Sequence, residues 1–289
     1  MTFCHLNLHT DRSIMRGLIK PSALVEWSKK HGVRGAAVTD YGTLAAAFEL
    51  HEACKGTSVM PIYGMEINLV DDKTEKSQTS LRLILIAKNK QGFRNLITLA
   101  TIGAMYFYYI PRLDITDLED YGGDLIAISG DMQGVAADAY FRDQDNGLKN
   151  LWDIYTAIFG DDFYFEIEPA LIDSQRVLNE ALVKFALSVG TTNLVATGDP
   201  HYMVREDRDL HKCVMAIKNN RNPSWYYPMK GDYHVRTYDE MVDQFAELHG
   251  YDISNVPGFR EALKQPDVII DKIESFDICE GVKIPTFIK

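Results

Sequence analysis

Short apolar runs alternate with amphipathic segments as far as residue 204. The runs are typical of buried strands, and the segments between them are typical of helices. Seven strands are predicted in this way: FCHLNLH, VRGAAVTD, MPIYGMEINLV, LRLILIAKN, DLIAISG, FYFEIEP and NLVATGD. Strands that alternate with helices indicate an α/β fold with a mostly parallel sheet and helical crossovers.

Two of the predicted helices have clear signals, one in its end residues and the other in its apolar face. PSALVEWSKKHG begins at Pro21 and ends at Gly32, which follows the preference for Pro in the first turn and Gly after the last one. In SQRVLNEALVKFALSVG, helical spacing places five apolar residues on one face: Val177, Leu178, Ala181, Leu182 and Phe185. These helices are therefore expected to pack on the sheet.

The pattern changes after residue 204. REDRDLHKCVMAIKNN predicts a helix, NPSWYYPMKGDYHVR predicts an aromatic loop, and the rest predicts short helices that end in GVKIPTFIK. We therefore predict a barrel over residues 1–204 and an appended segment over residues 205–289. Within the barrel, the polar stretches VDDKTEKSQTS and FRDQDNG predict surface loops.

Composition narrows the class of protein. The 30 Lys and Arg residues against 41 Asp and Glu give a formal charge of -11, which opposes tight DNA binding by this chain alone. Cys4, Cys54, Cys213 and Cys279 are far apart and form no CxxC pair, as expected in a reducing cytoplasm. No signal peptide or long apolar run predicts export or membrane insertion, so we expect a cytoplasmic protein.

Residues that can bind metal stand at the ends of several predicted strands: His9, Asp40, Glu66, Asp131, Asp199 and His201. In barrels of parallel strands, the loops at the carboxyl ends carry the chemistry. Asp199 and His201 share one strand face, and their donors suit zinc or manganese. Singly, Asp40 could instead cap a helix, Glu66 could pair with an arginine, and His9 could be a core histidine.

The order of HLNLHT, AAVTDYG, PIYGMEINLV, LRLILIAKNKQGFRNL, YIPRLD, DLIAISG, LVATGDPHY and HVRTYDEMVDQF resembles the PHP (polymerase and histidinol phosphatase) domain of bacterial DNA polymerase III alpha subunits. The resemblance runs from His5 to the end of the chain. It implies a distorted seven-stranded, TIM-like α/β barrel with a helical C-terminal extension. Residues 205–289 would then hold the end of the PHP domain and the start of a linker toward a polymerase core. Active members of the family bind up to three metal ions and hydrolyse phosphoesters, often as 3′–5′ proofreading exonucleases.

Several family ligand positions are substituted in this sequence. The positions that lack the family's ligand are Asn7, Arg16, Tyr41 and Arg82, whereas those that keep it are His9, Glu66, Asp199 and His201. Asp131 stands where many relatives have Cys, and Asp40 belongs to the altered TDYG motif. A guanidinium has no lone pair for a metal, so Arg16 and Arg82 cannot serve as ligands. We expect them to face Glu66, Asp131 and Asp199. In place of three ions we expect none, or one zinc or manganese ion bound by His9, Glu66, Asp199 and His201.

Three functions follow from this resemblance. The first is a non-catalytic PHP module of a DNA polymerase III alpha-like protein in DNA replication, which braces the polymerase core and docks a proofreading exonuclease. Its partner would be the remainder of the polymerase chain, its contact with DNA would depend on the larger assembly, and it would lack the polymerase active site. The second is a metal-dependent phosphoesterase or 3′–5′ exonuclease. The third is a separately encoded phage protein that binds a host replication factor.

Other motifs change this interpretation little. AMYFYYIPR and NNRNPSWYYPMK could stack bases, but packing between helices and sheet is the favoured hypothesis. No glycine-rich turn has the spacing of a nucleotide-binding loop, so no nucleotide cofactor is expected. Five histidines fall outside the family's ligand positions and are predicted to be surface or packing residues: His31, His51, His211, His234 and His249.

Overall fold

The computed structural model describes residues 1–76, 79–221 and 231–279. Within these ranges one six-stranded sheet curls into a half-barrel. Its strands are β1 (Gly35–Val38), β2 (Met60–Leu69), β3 (Leu81–Ala87), β4 (Leu125–Ile128), β5 (Phe163–Ile167) and β6 (Leu194–Ala196). They lie in the sheet in the same order as in the chain. The α/β class is therefore confirmed.

Strand direction differs from the prediction at β3. β1 pairs with β2 in parallel, and β4, β5 and β6 form a parallel set, but β3 runs antiparallel to both of its neighbours. The ten-residue β2 and the seven-residue β3 are joined by the loop VDDKTEKSQTS, which is too short for a helical crossover. The consequence for the site is that β3 begins at the edge where its neighbours end.

The predicted first strand is wrong, and the described sheet has six strands where seven were expected. Residues 3–9 form no strand ladder, although Phe3, Leu6 and Leu8 are buried. Leu8 accepts a hydrogen bond at its carbonyl from Thr39 N (3.1 Å) but donates its own N–H to the Thr39 side chain. His9 N donates to Pro200 O at 3.0 Å. The apolar pattern thus predicted burial correctly, but strand pairing depended on distant backbone groups.

Nine α-helices lie within the described residues: α1 (Pro21–His31), α2 (Ala47–Cys54), α3 (Lys90–Met105), α4 (Ile115–Tyr121), α5 (Val135–Phe159), α6 (Asp173–Val189), α7 (Arg208–Lys218), α8 (Tyr238–His249) and α9 (Phe259–Asp271). Gly32 ends α1 in the left-handed conformation at φ 68°. Asp143 and Gln144 interrupt α5, so FRDQDNG is a break within a helix rather than a full loop. On α6 the predicted apolar face is buried except for Val177, which is 36% exposed.

Both faces of the sheet are covered. Along β3, Leu83 and Leu85 pack in one apolar cluster, whereas Ile84 and Ile86 pack in another, because side chains alternate along a strand. Phe245 of α8 packs in the first cluster, and Ile269 and Ile270 of α9 pack in the second. The described part of residues 205–279 therefore shares the core of the sheet, and a boundary at residue 204 remains a prediction.

Two predicted segments fall wholly or largely outside the described residues. They are GVKIPTFIK and the NPSWYYPMK part of the aromatic loop. For the other aromatic stretch, the packing hypothesis is wrong at two positions, since Phe107 is 60% exposed and Tyr109 is 69% exposed. Among the helices of the described residues, none combines the length and apolar character needed to cross a bilayer.

Candidate functional site

Polar side chains from separate elements meet at one edge of the sheet. We call His9, Glu66, Arg82, Asp131, Asp199 and His201 the charged pocket. Bridges between Tyr41 and Glu66 and between Arg82 and Gly134 bring the ends of β1 and β4 beside β2 and β3. Because β3 is antiparallel, Arg82 near its start reaches this edge.

His9 lies between two carboxylates. Its Nε2 is 3.1 Å from Glu66 Oε2 and 3.2 Å from Asp199 Oδ1, and its Nδ1 is 3.1 Å from the Ser13 hydroxyl. Burial disfavours the charged ring, but the hydrogen bonds to Asp199 and Glu66 outweigh it and raise the pKa of His9 to about 10. His9 is therefore an imidazolium at neutral pH.

Arg82 bridges two further carboxylates. Its Nε lies 3.2 Å from Glu66 Oε1, and its Nη1 lies 3.3 Å from Asp131 Oδ2. Against the cost of burial, Arg82 and His9 lower the pKa of Glu66. A side chain at Gly130 would place its Cβ 2.9 Å from the Arg82 carbonyl, and Gly130 also has a positive φ of 78°. Glycine at this position therefore lets the loop carrying Asp131 approach β3.

Asp40 does not cap a helix, so that hypothesis is wrong. Its carboxylate accepts hydrogen bonds from the Thr10 amide (2.7 Å), the Thr10 hydroxyl (2.6 Å) and the Ser13 hydroxyl (2.7 Å). α2 begins seven residues later, after Ala46. Asp40 thus fixes the turn that follows His9, and Ser13 connects it to the His9 ring.

Asp199 and His201 lie together, but the predicted shared strand face is wrong, because β6 ends at Ala196. Their Oδ2 and Nε2 atoms are 3.1 Å apart, and the His201 ring stacks on His9 with centroids 4.7 Å apart. Asp199 has a positive φ of 41°, which is uncommon for a residue with a side chain. The ring of His211 also stacks on that of His201, with centroids 5.2 Å apart. The sequence offered no signal beyond packing for His211.

Arg16 differs from the expectation that it faces carboxylates. Its guanidinium carbon lies 3.7 Å from the centroid of the Tyr41 ring, and among the described residues it forms no salt bridge. Tyr41 donates its hydroxyl hydrogen bond to Asn68. Of the two arginines at substituted positions, only Arg82 therefore pairs with the pocket's carboxylates.

The prediction from sequence missed two buried glutamates. Glu166 and Glu168 of FYFEIEP are buried, and Glu166 accepts hydrogen bonds from Asn7 (3.0 Å) and Thr197. Burial raises the pKa of Glu166 to about 8 and raises the pKa of Glu168 as well. Charged residues at every second position of an apolar strand were the available signal. Asn7, which stands at a substituted ligand position, thus donates a hydrogen bond to the carboxyl group of Glu166.

A cavity of about 1030 Å³ opens beside the charged pocket. Arg16, Arg82, Asp131, Asp199 and His201 all line part of it. A ligand of substantial size could therefore reach the pocket from this side.

Comparison with known proteins identifies the family of this chain. A PHP domain family model matches residues 5–170, more than half of the chain. The chain belongs to the PHP domain family. It is 31% identical over 290 residues to DNA polymerase III subunit alpha of Borreliella burgdorferi, an alignment that covers 96% of this chain and 24% of that protein. The same subunit from Aquifex aeolicus is 35% identical over 232 residues, with 75% and 20% covered.

The PHP domain spans about a quarter of the length of these curated relatives. Among solved structures, a proposed metal-dependent phosphoesterase from Bifidobacterium adolescentis is 17% identical, covers 68% of this chain and 87% of its own, and gives a TM-score of 0.44. A likeness of this size supports no functional inference.

The PHP domain contains a group of residues that can hold a metal ion. One donor atom from each of His9, Asp199 and His201 lies within 4.8 Å of the others. His201 Nδ1 is 3.2 Å from the Arg16 carbonyl, and burial lowers the pKa of His201. A neutral ring that donates from Nδ1 would present its Nε2 lone pair to Asp199, an arrangement that a cation between them would stabilise. These residues fit one divalent ion provided that His9 gives up its proton, and such an ion would supply Lewis-acid chemistry there.

Proposed function

We propose that this PHP domain is a non-catalytic module of a DNA polymerase III alpha-like protein in DNA replication. The observation that carries the proposal is the Arg82 guanidinium between Glu66 and Asp131. A permanent cation at that position takes up the carboxylate charge that would otherwise attract divalent ions. The protonated His9 plays the same part between Glu66 and Asp199.

The charge balance supports a structural role for the pocket. Removing Arg82 would leave Asp131 without the cation that pairs with it and Glu66 with one of its two cationic neighbours, which is costly in a low-dielectric site. A divalent ion entering beside Arg82 would meet a repulsion on the order of a few kcal/mol at an effective dielectric of about 20. The pocket is thus a brace in which two cations, His9 and Arg82, offset most of the charge of three carboxylates and hold β2, the start of β3 and the loop after β4 together.

The partners belong to the same proposal. Since the relatives are about four times longer than this chain, the surface of the domain would pack against the remainder of an alpha subunit. A proofreading exonuclease docked on the same assembly, or a host replication factor for a phage protein, would complete it. Co-purification of this chain with the rest of an alpha subunit tests the first partner.

The second candidate function is a metal-dependent phosphoesterase or 3′–5′ exonuclease. It is favoured by the one ion that His9, Asp199 and His201 could hold, with zinc or manganese suiting these donors. In that case His201 and Asp199 would orient the ion, and the adjacent cavity would admit a phosphodiester. Within the part of the chain that the structure describes, the charged pocket contains one group of three such donors, whereas a three-metal cluster would need more ligands.

The deciding experiment compares wild type with His201→Ala. Protein purified without chelator is analysed for bound manganese and zinc and assayed on single-stranded DNA with manganese. We expect the same metal content and the same background hydrolysis in both. The control is His31→Ala, since His31 lies at the end of α1 and bonds to the Trp27 carbonyl. Metal and hydrolysis that disappear in His201→Ala but persist in His31→Ala would establish the phosphoesterase.

A further inference from the structure

A second group of metal-binding side chains shares no member with the charged pocket. We call His51, Asp277 and Cys279 the C-terminal cluster. One donor atom from each residue lies within 4.8 Å of the other two. His51 belongs to α2, whereas Asp277 and Cys279 follow α9. The cluster therefore joins two parts of the chain that are more than two hundred residues apart.

A contact with the Tyr63 hydroxyl orients the His51 ring so that its Nε2 faces Asp277. Its Nδ1 lies 2.8 Å from the Tyr63 hydroxyl, so an Nδ1–H donated to Tyr63 leaves the lone pair on Nε2. Nε2 is buried and makes no hydrogen bond to any described residue, although it lies 3.1 Å from Asp277 Oδ1. Metal-binding histidines commonly have such a second partner on the far ring nitrogen.

The other two donors are carried by a segment that packs on the same surface. Phe276 lies against Tyr63 and Phe93, with ring centroids 5.5 Å and 6.2 Å apart. The Cys279 amide donates to Asp277 Oδ1 at 2.7 Å, which turns the chain so that both side chains approach His51. The aromatic contact brings the donors near, and their positions do not depend on the charged pocket.

We propose that the C-terminal cluster binds one zinc ion and fastens the segment after α9 to α2. Nitrogen, thiolate and carboxylate donors are the set that zinc prefers. Zinc bonds of about 2.0–2.3 Å in a tetrahedron separate donors by roughly 3–4 Å. The donor atoms lie within 4.8 Å of one another, so binding needs a shift of no more than about 1 Å in any pair, which side-chain rotation at the exposed Asp277 can supply. Water fills the fourth position.

Binding releases one proton. The Cys279 thiol loses its hydrogen ion to solvent as the sulfur–zinc bond forms, while the neutral His51 and the ionised Asp277 bind without losing a proton. No oxidant or reductant takes part.

Cobalt(II) tests the cluster because it reports thiolate ligation directly. The 289-residue chain, kept reduced with a reagent that contains no thiol, is titrated with cobalt. We expect a sulfur-to-cobalt charge-transfer absorption in the near ultraviolet that zinc displaces, and its loss in Cys279→Ser. The charged pocket contains no sulfur ligand, so its occupancy or vacancy cannot produce this band, and His201→Ala should leave the band unchanged.

Cys213→Ser is the matched control, since Cys213 is an exposed thiol on α7. It should keep the wild-type band and zinc affinity, whereas Cys279→Ser should weaken zinc binding by about a hundredfold or more. No band in the wild type, a band that persists in Cys279→Ser, or equal loss in Cys213→Ser would each overturn the proposal.

Tyr63 is a positioning residue in this proposal. Tyr63→Phe keeps the ring against Phe93 and Phe276 but removes the hydroxyl that orients His51. We expect zinc affinity to fall by about 10–100-fold, as is typical for second partners of metal-binding histidines, while the cobalt band keeps its wavelength. Unchanged affinity would contradict the assigned role of the hydroxyl.

Discussion

The charged pocket and the C-terminal cluster contain similar metal-binding residues but differ in what surrounds them. In the pocket, the buried Glu66 already has two cationic neighbours, Arg82 and His9. In the cluster, the buried His51 nitrogen lacks a hydrogen bond within the described residues, and the neighbouring carboxylate of Asp277 is 65% exposed. Both sites thus place a histidine nitrogen 3.1 Å from a carboxylate oxygen, but in the charged pocket Arg82 shares that carboxylate.

The difference lies in how the charge is compensated. Arg82 cannot lose its proton, so a metal ion cannot displace its charge from Glu66 and Asp131. At the cluster, the only group that must lose a proton is the Cys279 thiol, and zinc itself favours that loss. Ligand type alone therefore does not identify a metal site, because neighbouring fixed charges decide whether an ion can enter.

The largest expected effect comes from breaking the pocket's permanent ion pairs. Arg82→Met should lower the free energy of unfolding by about 3–5 kcal/mol, because it removes the cation that pairs with Asp131 and one of the two cations beside Glu66. Urea unfolding at pH 7 measures this. The control, Arg34→Met, breaks the exposed pair with Asp271 and should change little. Equal small effects for both variants would show that Arg82 is not a brace.

The second effect is a loss of stability at alkaline pH. The pKa of His9 is raised to about 10 in the folded protein, above its unfolded value near 6.5. The protonated ring therefore stabilises the fold fully below the unfolded pKa, and this contribution is lost as pH rises through about 10. Urea unfolding between pH 7 and pH 10 should show a decrease of about 2–4 kcal/mol assignable to His9.

His9→Gln provides the check on that pH dependence, since the amide does not titrate. Its stability should vary much less than that of wild type over the same window. His31→Gln should keep the wild-type slope. A slope that survives in His9→Gln would mean that another group carries the alkaline transition.

The third prediction sharpens the contrast by adding zinc. At a hundred times its dissociation constant, zinc should raise the Tm of wild type by an amount on the order of 5 °C, because it binds only the folded cluster. Differential scanning calorimetry should show the increase in Cys213→Ser and not in Cys279→Ser. An increase abolished by His201→Ala instead would assign the stabilising ion to the pocket.

The smallest effect separates the two arginines. Arg16→Met should cost only about 0.5–1 kcal/mol, since it removes a contact with the Tyr41 ring and no salt bridge within the described residues. The measurement is again urea unfolding at pH 7, beside Arg82→Met. A loss as large as that of Arg82→Met would indicate that Arg16 compensates buried carboxylates after all.

Much of the fold could be predicted from local pattern. The six strands from β1 to β6 and the ends of α1 follow from apolar runs and from glycine and proline at the boundaries. The failures were non-local. Residues 3–9 are buried and mix apolar with polar side chains, but whether they form a ladder depends on Thr39 and Pro200. The direction of β3 likewise depends on its partners rather than on its own sequence.

For the candidate site, the sequence by itself determined the inventory: a guanidinium at position 82, an amide at position 7, and carboxyl and imidazole groups at the strand ends. Only the tertiary structure decided which of these groups pair. It directed Arg82 to Glu66 and Asp131, stacked Arg16 on Tyr41, and joined Asn7 to Glu166. The physical reason is that charge and ligand chemistry belong to single residues, whereas compensation depends on distances of 3–4 Å between residues far apart in the chain.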